Sequence, residues 1–153
     1  MQNNYNQAAI QKLVIARVQA TNVLRKEKIG TECLLIALTK GDDEVAQVLR
    51  KHGLTPKRVT HGFLCLFGKG SFVHTAPKPF TRAADENLRR AHGVAQSYDD
   101  GYIEPVHIAI ALFRNDEGPI RKILDFLDID RGKIVDDLSA LKPFMAIVEQ
   151  IRA

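Results

Sequence analysis

The residues of this chain most able to do chemistry are Cys33, Cys65, five histidines and three adjacent aspartate pairs. His61 and Cys65 stand four apart, which puts both on one face of a helix at a metal-compatible spacing. Two ligands do not make a zinc site, and no further Cys/His pair joins them. Cys33 and Cys65 both fall in apolar runs, so they read as buried, inert thiols rather than nucleophiles. His107 sits inside an apolar segment and reads as a satisfied core histidine, not a general base. The pairs Asp42-Asp43, Asp99-Asp100 and Asp136-Asp137 suggest acid–base work. However, adjacent residues on a helix point apart, and the first two pairs lie at turns, where Asp caps backbone donors. Gly68-Lys69-Gly70-Ser71 resembles a phosphate loop but lacks the leading glycine and the strand–helix frame. These patterns predict no catalytic residue, no metal and no cofactor.

The elements that must hold these residues are bounded by composition. The 153 residues (17.1 kDa) make one ordinary domain, too short for a complete ATP-driven machine. Hydrophobic residues are 45% and charged residues 26%, enough for a packed core. Aromatics are 7% with no Trp, so that core is aliphatic and Ala-rich. The start is polar without a secretory pattern, and the longest apolar run, Phe63–Phe67, is far below membrane-spanning length. With only two cysteines, a reducing, intracellular compartment is expected. Charge is uneven: residues 1–66 hold ten Lys/Arg against five Asp/Glu, and residues 67–153 hold twelve against thirteen. A basic half can meet nucleic acid or an acidic protein surface. No stacking aromatics interleave with it, so nucleic acid is the lesser reading.

The chain contains its own copy. Ile29-Gly30-Thr31-Glu32-Cys33-Leu34-Leu35-Ile36-Ala37-Leu38 lies 74 residues before Ile103-Glu104-Pro105-Val106-His107-Ile108-Ala109-Ile110-Ala111-Leu112. Upstream the offset is 75, pairing Ala8, Leu13, Ala16 and Ala20 with Ala83, Leu88, Ala91 and Ala95. Downstream it is 75 again, from Val45–Val59 to Ile120–Ile134. One residue is therefore missing from the second copy, and a loop is the expected place. Each copy has helical periodicity throughout. A first helix follows the Asn6 cap and runs to about Arg25; its counterpart follows Thr81 and ends near Ser97. Ala at every fourth position leaves it a shallow face for close packing. Short second helices begin at Thr31 or Glu32 and at Glu104-Pro105. Third helices follow Asp42-Asp43 and Gly118-Pro119, with Gly53 closing the first. Fourth helices start at Thr55-Pro56 and Asp130. The predicted fold is all-α: two four-helix repeats (about 5–66 and 80–141) around a pseudo-two-fold axis, joined by a linker at 67–79. A tail at 142–153, with Phe144, Ile147, Val148 and Ile151 at helical spacing, is expected to be a short ninth helix or a partner-docking segment.

The first copy, with Val45-Ala46, Val48-Leu49 and Gly53, resembles the Clp N-terminal repeat, whose consensus is I-G-T-E-H-L-L-L-A-L followed by G-V-A-A-x-V-L-x-x-x-G. Phe80-Thr81, Ala84 and the Ala91/Ala95 helix resemble the opening of the second repeat. The resemblance covers about residues 5 to 138 and reaches both ClpC N-domains and stand-alone accessory proteins built from that domain. It implies a non-catalytic module that binds adaptors, substrates or the protease core of the Clp system, with Clp chaperone and protease subunits as partners. It also implies a cytoplasmic location, or the plastid stroma in a plant. The N-terminal fragment of a ClpC unfoldase is the alternative, and a basic nucleic-acid-binding helical module the second. In ClpC-type N-domains the Glu of each G-T-E-H motif helps hold phosphorylated arginine. Copy one keeps Gly30, Thr31 and Glu32; copy two has Val106 in place of the acid, and a guanidinium-type group wants a carboxylate. The candidate protein- or peptide-binding residues are accordingly Glu32 and Thr31, with Asn6 and Thr81 at the helix caps.

Overall fold

The structure, a computed structural model, describes residues 4–71, 78–115 and 118–152, with side chains as far as Lys142. Eight α-helices follow one another among the described residues: α1 Gln7–Val18, α2 Thr31–Thr39, α3 Glu44–Lys51, α4 Pro56–Phe67, α5 Arg82–Ser97, α6 Pro105–Arg114, α7 Gly118–Leu127 and α8 Arg131–Arg152. Their starts are written in side-chain chemistry. Asn6, Asp43, Thr55 and Thr81 each accept a hydrogen bond from the backbone N–H three residues on, satisfying a donor the helix leaves open. Asp130 does the same for Gly132 and Lys133.

Two helices form the centre. In α2 everything from Cys33 to Thr39 is buried, and in α6 everything from Pro105 to Phe113. A helix apolar on all sides has no solvent face and must be wrapped. α2 touches α1, α3, α4, α5, α6 and α7, while α6 packs on α5 and α8. The alanine faces work as their spacing requires: Ala16, Ala20 and Ala91 are fully buried or nearly so, against α2 in the first copy and α6 in the second.

The halves are related by a pseudo-two-fold axis, visible in their backbone bonds. Asn6 N–H donates to Ile103 O (3.0 Å) and Ile103 N–H to Asn4 O (2.7 Å). Seventy-four or 75 residues away, the same pattern recurs with the copies exchanged. There Thr81 N–H donates to Ile29 O and Ile29 N–H to Pro79 O, both at 2.9 Å. These are isolated bridges, Tyr5 with Ile103 and Ile29 with Phe80. Each copy thus feeds the lead-in of its first helix to the other copy's second helix.

Three sequence expectations are corrected. The first helix does not stay α-helical to Arg25; Gln19–Val23 forms a π-helical turn, with Leu24 N–H donating to Gln19 O at 2.9 Å. The two copies re-align at the left-handed residues Arg25 and Asp99 (φ 52° and 57°), which are 74 apart. The additional residue of copy one therefore lies in that widened helical turn, not in a loop, because a π turn absorbs one residue without unwinding the helix. A separate ninth helix is absent: α8 runs unbroken from Arg131 to Arg152. The expected roles of the side chains of Phe144, Ile147, Val148 and Ile151, and of linker residues 72–77, lie outside the described residues. Finally, Cys33 is buried as expected, but Cys65 is exposed.

Candidate functional site

The candidate residues gather at the two exchanged bridges. At the first, Ile29 lies between Thr81, the cap of α5, and Gly30-Thr31-Glu32 at the start of α2. Thr81 and Thr31/Glu32 come from different copies and meet only because the copies clasp. At the second bridge, Asn6 lies beside Ile103-Glu104 at the start of α6. The four predicted residues thus divide as Thr31, Glu32 and Thr81 at one end, and Asn6 alone at the other.

The two ends differ in chemistry. Thr31 is buried, and the hydroxyl of Thr81 is occupied by Ala84 N–H (3.1 Å), as Asn6 is by Ala9 N–H (2.9 Å). Glu32 is half-buried. No side chain caps α2, whose N-cap is Gly30. A Cβ placed on Gly30 would fall 2.6 Å from both carboxylate oxygens of Glu32, so the carboxylate folds back over that glycine. There it sits at the positive end of the helix dipole. Among the described residues it makes no hydrogen bond or ion pair with a side chain, so it is available to a cationic ligand.

At the α6 end every acid is already matched. His107, fully buried, accepts from Glu104 N–H through Nδ1 (2.8 Å), which leaves Nε2 to carry the proton toward Asp100 Oδ2 (2.8 Å). Lys142 Nζ reaches Asp100 Oδ2 at 2.7 Å and Glu104 Oε2 at 3.0 Å. Burial lowers the His107 pKa, outweighing the Asp100 bond that favours the charged ring, and the ring is neutral at pH 7. Burial alone would raise Asp100, but hydrogen bonds from Lys142 and His107 hold it below the ordinary carboxylate range. Burial likewise opposes the charge of Lys142, yet its two carboxylate partners raise its pKa.

This cluster is what sequence reasoning missed. Its signals were Asp99-Asp100, read as turn caps, and Lys142, 35 residues beyond His107. Asp100, Glu104 and His107 present ligand atoms within 4.8 Å of one another, a metal-like arrangement. The Lys142 ammonium occupies the cation's place, so the group reads as an internal ion cluster. His61 Nε2 and Cys65 Sγ do approach, at 3.4 Å, but no third ligand joins them among the described residues. Burial, with the Glu32 charge adding, pushes the Cys33 thiol up to about 12, so it is protonated and unreactive. Gly70 of the phosphate-loop-like string packs on the chain itself: its N–H donates to Leu24 O, and a Cβ there would lie 2.0 Å from Arg25 O.

The site sits in an all-helical domain of two exchanged repeats, with the Glu32 carboxylate at the start of a central helix. Residues 79–151 match the family described as the Clp repeat (R) N-terminal domain. The chloroplastic chaperone protein ClpC of Pisum sativum is 28% identical over 135 residues, covering 88% of this chain and 14% of that protein. The ClpA-homologous ATP-binding subunit of Guillardia theta is 27% identical, covering 88% of this chain and 16% of its own length. The N-terminal domain of ClpD from Arabidopsis thaliana shares the fold, with a TM-score of 0.77 at 20% identity over 90% of this chain and 96% of that one. The Hsp104 N-terminal domain of Candida albicans gives 0.72 at 14% identity, over 92% of each chain. The chain is thus similar to the Clp N-terminal domain family over its second copy, and to Clp ATP-binding subunits over 88% of its length. It spans about a sixth of the length of the curated relatives it matches. No helix among the described residues is long and apolar enough to cross a membrane.

Proposed function

We propose that this chain is a non-catalytic docking module that brings adaptor or substrate proteins to a Clp chaperone–protease. Its repeats occupy about residues 5–66 and 80–141. One observation carries the reading: among the described residues the Glu32 carboxylate at the start of α2 has no side-chain partner, while its counterpart position is the buried Val106 and nearby Glu104 is taken by Lys142. Recognition of a cationic or phospho-arginine side chain is accordingly assigned to the α2 end alone, with Thr31 and Thr81 shaping it. The same role serves a stand-alone accessory protein and the front of a longer Clp ATPase.

The test has two parts. The purified chain is titrated against a ClpC-type ATPase and its protease core; binding to neither refutes the docking role. Glu32→Ala is then compared with wild type for a phospho-arginine peptide. Losing one charge-assisted contact should weaken binding by about tenfold or more at unchanged melting temperature. Equal affinity removes Glu32 from the site.

A further inference from the structure

We propose that a cavity beside the π-helical turn of copy one captures the free C-terminal end of a partner polypeptide, its last aliphatic side chain together with its carboxylate. The cavity holds about 440 Å³, near the low end of built ligand sites, which suits a chain end rather than a folded surface. Val23, Pro56 and Leu64 give it apolar walls, and Lys40, Lys57 and His61 stand around them. Three elements bound it: the turn Gln19–Val23, the end of α2 and the start of α4.

The polar groups of this cavity are uncommitted. Gln19 lines it and is only 4% exposed, yet its side-chain amide makes no hydrogen bond among the described residues. A buried amide without a partner is costly, and a ligand that bonds it removes that cost. Among the described residues the ammonium groups of Lys40 and Lys57 likewise have no hydrogen-bond or ion-pair partner.

The helix ends favour an anion there. Pro56 and Lys57 open α4, so the cavity meets the positive end of a 12-residue helix. Pro56 has no N–H and Arg58 N–H is taken by Thr55 Oγ1 at 3.2 Å, which leaves Lys57 N–H as the donor for a ligand. The α2 end would repel an anion, but its carbonyls are covered: Arg50 Nη1 donates to Thr39 O at 2.8 Å, and Lys12 Nζ donates to Lys40 O.

The duplication shows which of these features belong to copy one. Copy two also has a hollow, beside Val94 and Arg114, the counterparts of Gln19 and Lys40. There the buried amide is replaced by Val, and the positions of Lys57 and His61 are Gly132 and Asp136. Gln19 and Val23 are the first and last residues of the π turn, so the residue that copy two lacks shapes this wall. Such turns are frequent at functional sites.

An apolar pocket ringed by cations and one amide wants a ligand that is aliphatic and anionic within a few bonds. Asp and Glu side chains carry the charge without the apolar body. A chain terminus sets its carboxylate directly beside its last side chain, and its peptide groups can pair with the Gln19 amide. Lys40 lies about 12 Å along α2 from Glu32, at 1.5 Å per residue. The site is thus at the opposite end of α2 from Glu32 and does not depend on it.

The test is fluorescence polarisation of the full chain with an N-terminally labelled hexapeptide ending in Val-Leu, as the free acid and as the C-terminal amide. The free acid should bind, and the amide should bind at least about tenfold more weakly. Lys57→Glu, at an exposed position, should weaken the free acid at least about tenfold, and Gln19→Leu about threefold or more. Glu32→Ala should leave it unchanged. The proposal is overturned if the free acid does not bind at low ionic strength, if acid and amide bind alike, or if either Lys57→Glu or Gln19→Leu binds as wild type while melting normally. Displacement of the peptide by an equal concentration of octanoate would also overturn it, by showing that the site takes a small aliphatic acid instead.

Discussion

Replacing Lys142 with Met tests whether the ion cluster under α6 holds the second repeat together. Met keeps most of the hydrocarbon stem and removes the ammonium, together with its 6.0 Å approach to the Tyr98 ring. Asp100 and Glu104 then lose a cation at 2.7 and 3.0 Å. Removing one partner of a fully buried pair costs about 3–5 kcal/mol. Here the carboxylates are 27% and 25% exposed, so water offsets part of the loss and we expect about 2–3 kcal/mol. For a domain of this size that lowers the melting temperature by roughly 4–12 °C. The assay is thermal unfolding followed by circular dichroism at pH 7, with Asp100→Asn and the double variant completing a cycle. The double variant should lose less than the sum of the single ones, because they share an interaction. A K142M protein melting within about 1 °C of wild type would refute the claim that the cluster is structural.

Further outcomes follow from the same contacts. Ala91→Leu or Ala16→Leu should destabilise the domain by about 1–3 kcal/mol, since both sites are fully buried at helix crossings; an unchanged melt would mean the crossings have room. Stability should fall as pH drops below 6.5, because the folded His107 pKa lies below that ordinary value and the unfolded chain takes up the proton first. It should fall further as Asp100, also lowered, is protonated; above pH 10.5 the raised Lys142 reverses the sign and stability declines with rising pH. A flat melting temperature between pH 5 and 7 would contradict the first part. A thiol reagent should modify Cys65 rapidly in the native chain and Cys33 only on unfolding; two fast thiols would contradict the burial of Cys33.

Much of this protein is legible without coordinates. Helix starts are encoded locally, in Asn6, Asp43, Thr55 and Thr81, because a cap needs only a short oxygen three residues before a free N–H. The repeat is legible because periodic apolar positions survive duplication when polar ones drift. Even the turn after the third helix keeps its left-handed residue, Gly53 in copy one and Asp128 in copy two (φ 90° and 55°), since Asp tolerates that conformation.

What the sequence could not specify is whatever depends on two distant segments meeting. Thr81 joins Glu32 only through the exchanged backbone bonds at Ile29. Asp100, Glu104, His107 and Lys142 are polar residues of ordinary spacing until α6 and α8 pack, and Gln19, Lys40 and Lys57 from three elements line one cavity only in the folded chain. Local hydrogen bonding and apolar period are properties of neighbours along the chain, so they determined the helices and their duplication. Electrostatic partners are chosen across space, and only the tertiary structure decided which acid stays open and which is neutralised.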